Sequence, residues 1–279
     1  MAVKICVANQ KGGVGKTTCA LNIGDALTHT GYKVLFVDLD PQHNSTSTYG
    51  AAMEGENTIV DVLKKDCTAK EAIQHMPMGD IIPGDKLLAD VEQELSRKTM
   101  RELMLKKALE SVDRQYDFIV MDTPPNLGLY LINALSASNG VVVTIKAEQY
   151  AVDGLSQIME AINDIQDNVN SKLKLYGVLL NMYDARNTLD RDIKEVLPQV
   201  GKTNGFKPFK TIIRISQDVK KVQSIPDTTD EDGGRLVSNR SLFENYPESN
   251  AAVDYVNLVK EILKDEFKGK DKKKGKGKK

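Results

Sequence analysis

A glycine-rich run with two lysines, residues 9–18, carries the clearest chemistry in this 279-residue chain. It follows the apolar stretch 3–8 and reads Asn-Gln-Lys-Gly-Gly-Val-Gly-Lys-Thr-Thr. Glycines let a backbone wrap around an anion, and a helix N-terminus presents free N–H groups and the positive end of its dipole. The run therefore predicts a phosphate-binding loop between a strand and a helix. In such a loop Lys16 contacts the β- and γ-phosphates of a nucleotide, and the Thr17 hydroxyl ligates Mg²⁺.

One departure from the general phosphate-loop pattern is informative. Gln10 stands where the first glycine is expected, and a second lysine, Lys11, follows it. The segment 11–18 resembles the deviant Walker A motif of the ParA/MinD family of P-loop ATPases. This resemblance implies an ATP-sandwich homodimer in which Lys11 reaches the partner's phosphates, and it makes Lys11 and Lys16 catalytic. It also implies ATP contacts from the whole loop: Lys11, Gly12, Gly13, Val14, Gly15, Lys16, Thr17 and Thr18.

Three aspartates that follow apolar runs supply the other parts of phosphoryl transfer, which needs Mg²⁺, charge neutralisation and a positioned water. Asp122 ends the run 118–121 and precedes Thr-Pro-Pro, so it resembles the Walker B carboxylate that holds the metal through water. The segment 38–42 resembles the family's switch I, which implies that Asp40 orients or activates the attacking water and that Asp38 supports the magnesium ion. Strand capping alone is the alternative for Asp38 and Asp40. Residues 122–128 resemble switch II.

Asn181 ends the apolar run 178–180 and matches a family asparagine that contacts adenine, although asparagine at a strand end also forms turns. The neighbouring segment 183–187 resembles the ParA pattern, and the likeness spans roughly residues 1–265. It weakens between about 205 and 245, where Ile-Arg-Ile-Ser (213–216) replaces the usual Ile-Pro-Arg. The candidate DNA contacts, each of which is equally suited to being a solvated surface charge, are Arg186, Arg191, Arg214, Lys220 and Lys221.

Alternating apolar runs and helical patterns predict the scaffold that positions these residues. We expect strands at 3–8, 34–37, 118–121, 141–145 and 175–180, and helices at about 17–30, 153–165 and 249–267. This order favours an α/β fold with a largely parallel twisted sheet and helices on both faces, in a single domain. Residues 43–49 are too polar for a core and are predicted to form a mobile loop. Residues 58–110 look mainly helical, with an interruption at 80–84, and 223–247 form a long polar excursion.

Charge is distributed unevenly along the chain. The net charge is −1, but the last twelve residues, 268–279, contain eight lysines and one aspartate and carry +7, which leaves −8 on residues 1–267. We expect a P-loop ATPase domain at 1–267 and a disordered lysine-rich tail at 268–279. Because residues 1–267 are acidic overall, a polyanion would have to bind to the tail or to a local basic patch. Three widely spaced cysteines and no apolar run long enough for a membrane span predict a reduced, cytoplasmic protein.

The favoured interpretation is a ParA/Soj-like partition ATPase that is nucleoid-associated. On the family resemblance, its ATP dimer binds double-stranded DNA without sequence preference, and a centromere-binding, ParB-like partner stimulates hydrolysis and release. A MinD-like membrane-associated positioning ATPase is the alternative, but the tail has no apolar face and predicts no membrane insertion. A third possibility is a metabolic enzyme, since related P-loop enzymes phosphorylate carboxylates during cofactor synthesis.

Overall fold

A sheet of seven strands, counted over the residues that the computed structural model describes (1–148, 153–230 and 232–268), forms the centre of the molecule. The strand order across the sheet is β3-β4-β2-β5-β1-β6-β7, and the β3–β4 pair is antiparallel while the other pairs are parallel. The strands are β1 (Val3–Ala8), β2 (Val34–Asp38), β3 (Gln74–Met76), β4 (Gly79–Ile82), β5 (Phe118–Asp122), β6 (Gly140–Lys146) and β7 (Lys174–Asn181).

Helices cover both faces of this sheet, which confirms the predicted α/β class. One apolar core packs α1 and α11 against one face, and a second core lies under α3 to α8 on the other. The helices are α1 (Lys16–His29), α2 (Asn44–Tyr49), α3 (Ile59–Lys64), α4 (Leu87–Leu95), α5 (Met104–Leu109), α6 (Leu129–Ala137), α7 (Asp153–Asn168), α8 (Thr188–Asn204), α9 (Gln217–Gln223), α10 (Leu242–Asn245) and α11 (Asn250–Phe267).

The strand register brings the predicted chemistry together at one edge. β5 lies between β1 and β2, with Val7 and Asp38 both opposite Asp122. The phosphate loop leaves the end of β1, so it begins beside both aspartates. Carboxyl ends of parallel strands are where open α/β sheets bind their ligands.

Several predicted elements need correction. Residues 43–49 are not a loop, because α2 occupies most of them. The stretch 58–110 contains the short strands β3 and β4, and β4 was hidden because only its last two residues, Ile81 and Ile82, are buried. The polar excursion 223–247 includes the small hairpin β8 (Thr228–Thr229) and β9 (Arg235–Leu236) and the helix α10. Helix α8 was not predicted. Apart from Lys268, the lysine-rich tail lies outside the described residues.

Candidate functional site

The phosphate loop is shaped by glycines and tied to the sheet. Gly13 and Gly15 have φ angles of +75° and +81°, which favour glycine, and a Cβ on Gly15 would lie 2.4 Å from Nδ2 of Asn181. The Asn9 side chain donates to the Thr144 carbonyl on β6 (2.6 Å) and accepts from the backbone N–H of Lys11 (3.0 Å). These two hydrogen bonds hold the start of the loop above the carboxyl edge of the sheet.

Lys16 is the first residue of α1, and its ammonium group turns back into the loop. It donates to the Lys11 carbonyl at 3.0 Å, and the residue is only 6% exposed. Burial lowers the pKa of Lys16, while the charges of Asp122 and Asp40 act in the opposite direction. Gly15 precedes the helix and has no side chain, so the first backbone N–H groups of α1 have no side-chain cap. A lysine and uncapped helix N–H groups together suit a phosphate group.

The rest of the predicted ATP set lies in the same loop and the first turn of α1. Val14 is buried and fixes the loop against the core, whereas Gly12 and Gly13 are exposed. Thr17 and Thr18 occupy the first turn of the helix. The structure thus places side by side the residues that sequence assigned to phosphate binding: Lys11, Gly12, Gly13, Val14, Gly15, Lys16, Thr17 and Thr18.

Asp122, at the end of β5, is completely buried and has one uncommitted oxygen. Its Oδ2 accepts a hydrogen bond of 2.8 Å from the Ser45 hydroxyl, whereas Oδ1 has no hydrogen-bond partner among the described residues. Burial raises the pKa of this carboxyl, and the charge of Asp38 raises it further. An orphaned buried carboxylate oxygen is costly unless a ligand completes it. Asp122 therefore fits a role as a metal-site carboxylate.

Asp38 has a different environment, because protein groups occupy both of its oxygens. Oδ1 accepts from the backbone N–H of Asp40 (3.1 Å), and Oδ2 accepts from the N–H (2.9 Å) and hydroxyl (2.8 Å) of Thr46. Burial raises the pKa of Asp38. These bonds make Asp38 the anchor of α2, so its support of a metal would be indirect.

Asp40 lies two residues after Asp38 and is 7% exposed. Its Oδ1 accepts from the backbone N–H of Gln42 at 2.9 Å, and its charge acts on Lys16, whose pKa it raises against the effect of burial. A positioned carboxylate there is suited to orienting a water molecule.

The hydroxyls of α2 were missed from the sequence. Ser45 and Thr46 are fully buried, although the segment was judged too polar for a core. The Thr46 hydroxyl donates to Asp38 and accepts from the backbone N–H of Gly84 at 2.7 Å, so it also joins the end of β4 to the site. The sequence signal that could have identified them is the Ser-Thr pair that begins three residues after Gln42. Its two hydroxyls are suited to hydrogen bonds with the two carboxylates at the strand ends.

Lys11 extends away from the loop toward solvent and is held by a residue that sequence reasoning did not identify. Its ammonium group lies 2.5 Å from Oε2 of Glu148, whose Oε1 accepts from Lys146 at 2.8 Å. Hydrogen bonds from Lys11 and Lys146 lower the pKa of Glu148 to about 2. The Lys11 side chain is 41% exposed, so it remains reachable from outside the chain.

Asn181 ends β7 directly against the phosphate loop. Its Nδ2 donates to the Val14 carbonyl at 3.0 Å, and its Oδ1 accepts from the N–H of Met182. Met182 has a φ of +56°, an unusual conformation for a residue other than glycine. The side chain thus supports the loop, and its predicted contact with adenine remains a prediction.

The candidate DNA-contacting residues follow β7 in the sequence, and they differ in whether a carboxylate already pairs with them. Arg186 pairs with Asp184 at 2.7 Å, and Arg214 makes a two-pronged contact with Asp254 at 2.7 and 2.8 Å. Backbone bonds between Tyr183 and the segment around Arg214 bring these two regions side by side.

The remaining candidates lie on two helices, Arg191 on α8 and Lys220 and Lys221 on α9. Lys221 contacts Asp218 at 3.2 Å. Arg191 and Lys220 have no carboxylate within ion-pair distance in the described part of the chain.

A parallel sheet, a two-lysine phosphate loop and carboxylates on the adjoining strand ends define a P-loop nucleotide-binding protein. Residues 2–175 match the family model described as an AAA domain. The chain is 38% identical over 261 residues to the sporulation initiation inhibitor protein Soj of Bacillus subtilis, covering 92% of this chain and 97% of that protein. It is 37% identical over 203 residues to the chromosome partitioning protein ParA of Caulobacter vibrioides, covering 71% and 76%.

A solved structure also resembles this one along nearly its whole length. It is a cobyrinic acid a,c-diamide synthase from Mycobacterium smegmatis with bound ADP and magnesium, 31% identical, with a TM-score of 0.79 and 96% of each chain covered. The extent of the Soj and ParA likeness shows the family. The chain belongs to the Soj/ParA family of ParA/MinD-type P-loop proteins.

Proposed function

We propose that this chain is a partition protein that hydrolyses ATP to ADP and phosphate and works as an ATP-sandwich homodimer in segregating DNA. The observation that carries the proposal is Lys11, which stands at the outer edge of the phosphate loop with its ammonium group directed away from the loop of its own chain. A lysine in that position is placed to meet phosphates presented by a second copy. The likeness to Soj and ParA over most of the chain supports the same conclusion.

ATP with Mg²⁺ is the proposed ligand. The donor set fits magnesium, which prefers one or two carboxylates, hydroxyls, water and substrate phosphates to an all-protein cage. The Asp122 carboxylate and the Thr17 hydroxyl would hold the ion, with Asp38 behind them. When bound, the ion would neutralise charge on the phosphates.

The protein's own groups have distinct tasks in the proposed reaction. Lys16 and the N–H groups at the start of α1 bind and orient the phosphates. Asp40 orients the attacking water toward the terminal phosphate, and Lys11 of a second copy stabilises the charge that develops there. Water attacks phosphorus, the bond to the bridging oxygen breaks, and ADP leaves with that electron pair.

Double-stranded DNA is the proposed partner of the dimer, bound without sequence preference through phosphate contacts. Arg191 and Lys220 are the strongest single candidates because they have no carboxylate partner in the described residues. Arg186, Arg214 and Lys221 would have to share or release their aspartates. A ParB-like centromere-binding protein would stimulate hydrolysis and release, and the site of action would be the cytoplasmic nucleoid.

Two other functions receive less support. A MinD-like membrane role requires an amphipathic element with an apolar face, and the lysine-rich residues 268–279 contain no apolar side chain. A metabolic role receives support from the likeness to the diamide synthase. It is weakened by the higher identity to Soj over nearly the same length.

One experiment separates these functions. Binding to duplex DNA and to anionic vesicles is measured by co-sedimentation with ATP and with ADP. ATP hydrolysis is measured with DNA, with vesicles and without either, and dimerisation is followed by light scattering with both nucleotides. A partition ATPase dimerises with ATP and binds DNA only in that state. ATP-independent DNA binding, or ATP-dependent binding to vesicles alone, would contradict the proposal.

A further inference from the structure

An open groove lies between α8 and the segment 206–212, on the β7 side of the sheet. Its volume is about 670 Å³. The floor is apolar and rigid, because Leu197 of α8, Phe206 and Phe209 are each at least nine-tenths buried and belong to the two cores of the protein. The groove is therefore a fixed feature of the fold rather than a gap between mobile side chains.

The rim of this groove is basic in a chain whose residues 1–267 carry −8. Four exposed lysines surround it: Lys194, Lys202, Lys207 and Lys210. Lys207 contacts Asp265 at 3.3 Å, and Lys194 lies over the Tyr183 ring. Lys202 and Lys210 have no carboxylate within ion-pair distance in the described residues. Two uncommitted cations thus flank an apolar floor.

We propose that this groove binds an acidic peptide segment of another protein, with an apolar side chain seated on the floor and carboxylates paired with Lys202 and Lys210. The chain's own tail is excluded as occupant, because residues 268–279 carry +7 and would be repelled by the lysines of the rim. Duplex DNA would satisfy the lysines but leaves the apolar floor uncovered. An acidic segment with an apolar anchor satisfies both, as peptide-binding grooves do.

The test selects random linear peptides, displayed on phage, against the full-length chain. The proposal expects the enriched peptides to carry net negative charge around one or two Leu, Ile, Met or Phe residues. In fluorescence anisotropy, the double variant Lys202→Glu/Lys210→Glu should weaken binding of a selected peptide about tenfold or more. Replacing the peptide's apolar anchor by Ser should also weaken it.

The matched control is Lys70→Glu/Lys106→Glu, which makes the same change in charge at exposed lysines outside the groove and should leave peptide binding unchanged. Basal ATP hydrolysis should be unchanged in both double variants, which keeps this test independent of the proposed function. Selected peptides that are not acidic, or that bind the groove variant as tightly as the unmodified chain, would overturn the proposal. So would a groove variant that loses affinity for duplex DNA and retains the peptide, because the groove would then belong to a DNA-binding face.

Discussion

Lys11 is bound within its own chain by Glu148, with 2.5 Å between Nζ and Oε2. The lysine that we propose to act on a second copy is therefore engaged in the single chain. Dimerisation must exchange this carboxylate for phosphate. Lys146, which also contacts Glu148, would keep the carboxylate paired after the exchange.

Glu148→Gln is expected to favour the ATP-bound dimer modestly. The amide removes the charge that competes for Lys11, and an exposed ion pair of this kind is worth up to about 1 kcal/mol. Each copy in the dimer contributes one pair, so the dimer dissociation constant should fall by up to about thirtyfold. Sedimentation equilibrium with a slowly hydrolysed ATP analogue measures the constant. Lys146→Gln is the control, since it leaves the Lys11 pair in place. Weaker dimerisation of Glu148→Gln would show that Glu148 serves the dimer and does not restrain Lys11.

Lys16→Ala is expected to abolish nucleotide binding. Lys16 is the buried cation at the centre of the loop, and alanine leaves the phosphate charge without a counterpart. Binding of fluorescent ATP measures the loss, and Lys70→Ala, at an exposed lysine, should bind normally. ATP affinity equal to that of the unmodified chain would refute the phosphate-loop assignment.

Asp40→Ala is expected to bind ATP and to hydrolyse it more slowly by a factor of about 10²–10⁴, because a water-positioning carboxylate is lost. Dimer should accumulate with ATP in size-exclusion chromatography. Asp90→Ala, at an exposed carboxylate on α4, serves as the control. Unchanged turnover would remove Asp40 from the mechanism.

Removal of residues 268–279 is expected to weaken DNA binding without abolishing it. Each tail lysine engaged with DNA steepens the salt dependence by about 0.9 in log–log slope. Deletion should therefore flatten the slope while ATP dependence and basal hydrolysis persist. Affinity measured over a salt series tests this. An unchanged slope would make the tail a bystander, and complete loss of ATP-dependent binding would mean that the dimer has no basic face of its own.

Asp25 is expected to make stability depend on pH. Burial raises the pKa of Asp25 to about 6, although it accepts hydrogen bonds from Ser241 and Leu242 and lies near His29. The folded pKa lies above the unfolded one, so ionisation penalises the fold. The penalty grows as pH rises from about 4 to 6 and reaches about 3 kcal/mol above that range.

The measurement for Asp25 compares urea unfolding of the unmodified chain and Asp25→Asn between pH 4 and 7. Asn cannot ionise, so the free energy of unfolding of the unmodified chain should rise relative to the variant as pH falls through 6. A constant difference between the two proteins over this range would show that Asp25 titrates normally.

The parts of the site that could be predicted from the sequence are those that depend on local sequence patterns. The phosphate loop depends on contiguous residues, and Asp38, Asp40 and Asp122 follow recognisable apolar strands, so the register of a parallel sheet was enough to bring them together. The fold class followed from the same alternation. Helices α7 and α11 were predicted to within a few residues because their apolar periodicity is regular.

Long-range contacts explain what the sequence did not reveal. Ser45 and Thr46 are polar and would belong to a surface loop by composition, yet both are buried, and Ser45 donates to Asp122, which is 77 residues away in the sequence. Glu148 meets Lys11 across 137 residues, a pairing that no spacing rule indicates. The strands β3 and β4 are short and lie at the sheet edge, where the apolar signal is weak.

Helix α2 has a second set of contacts on the side away from the carboxylates. The Thr48 carbonyl accepts from the buried Arg240, which pairs with Asp227 at the base of the β8–β9 hairpin, and a side chain on Gly50 would collide with Val237. Six residues of helix therefore connect the aspartates of the reaction centre to an exposed hairpin. If the proposed hydrolysis shifts α2, these contacts would carry the displacement to the hairpin, and the chemical state of the nucleotide would become detectable at the outer surface of the protein.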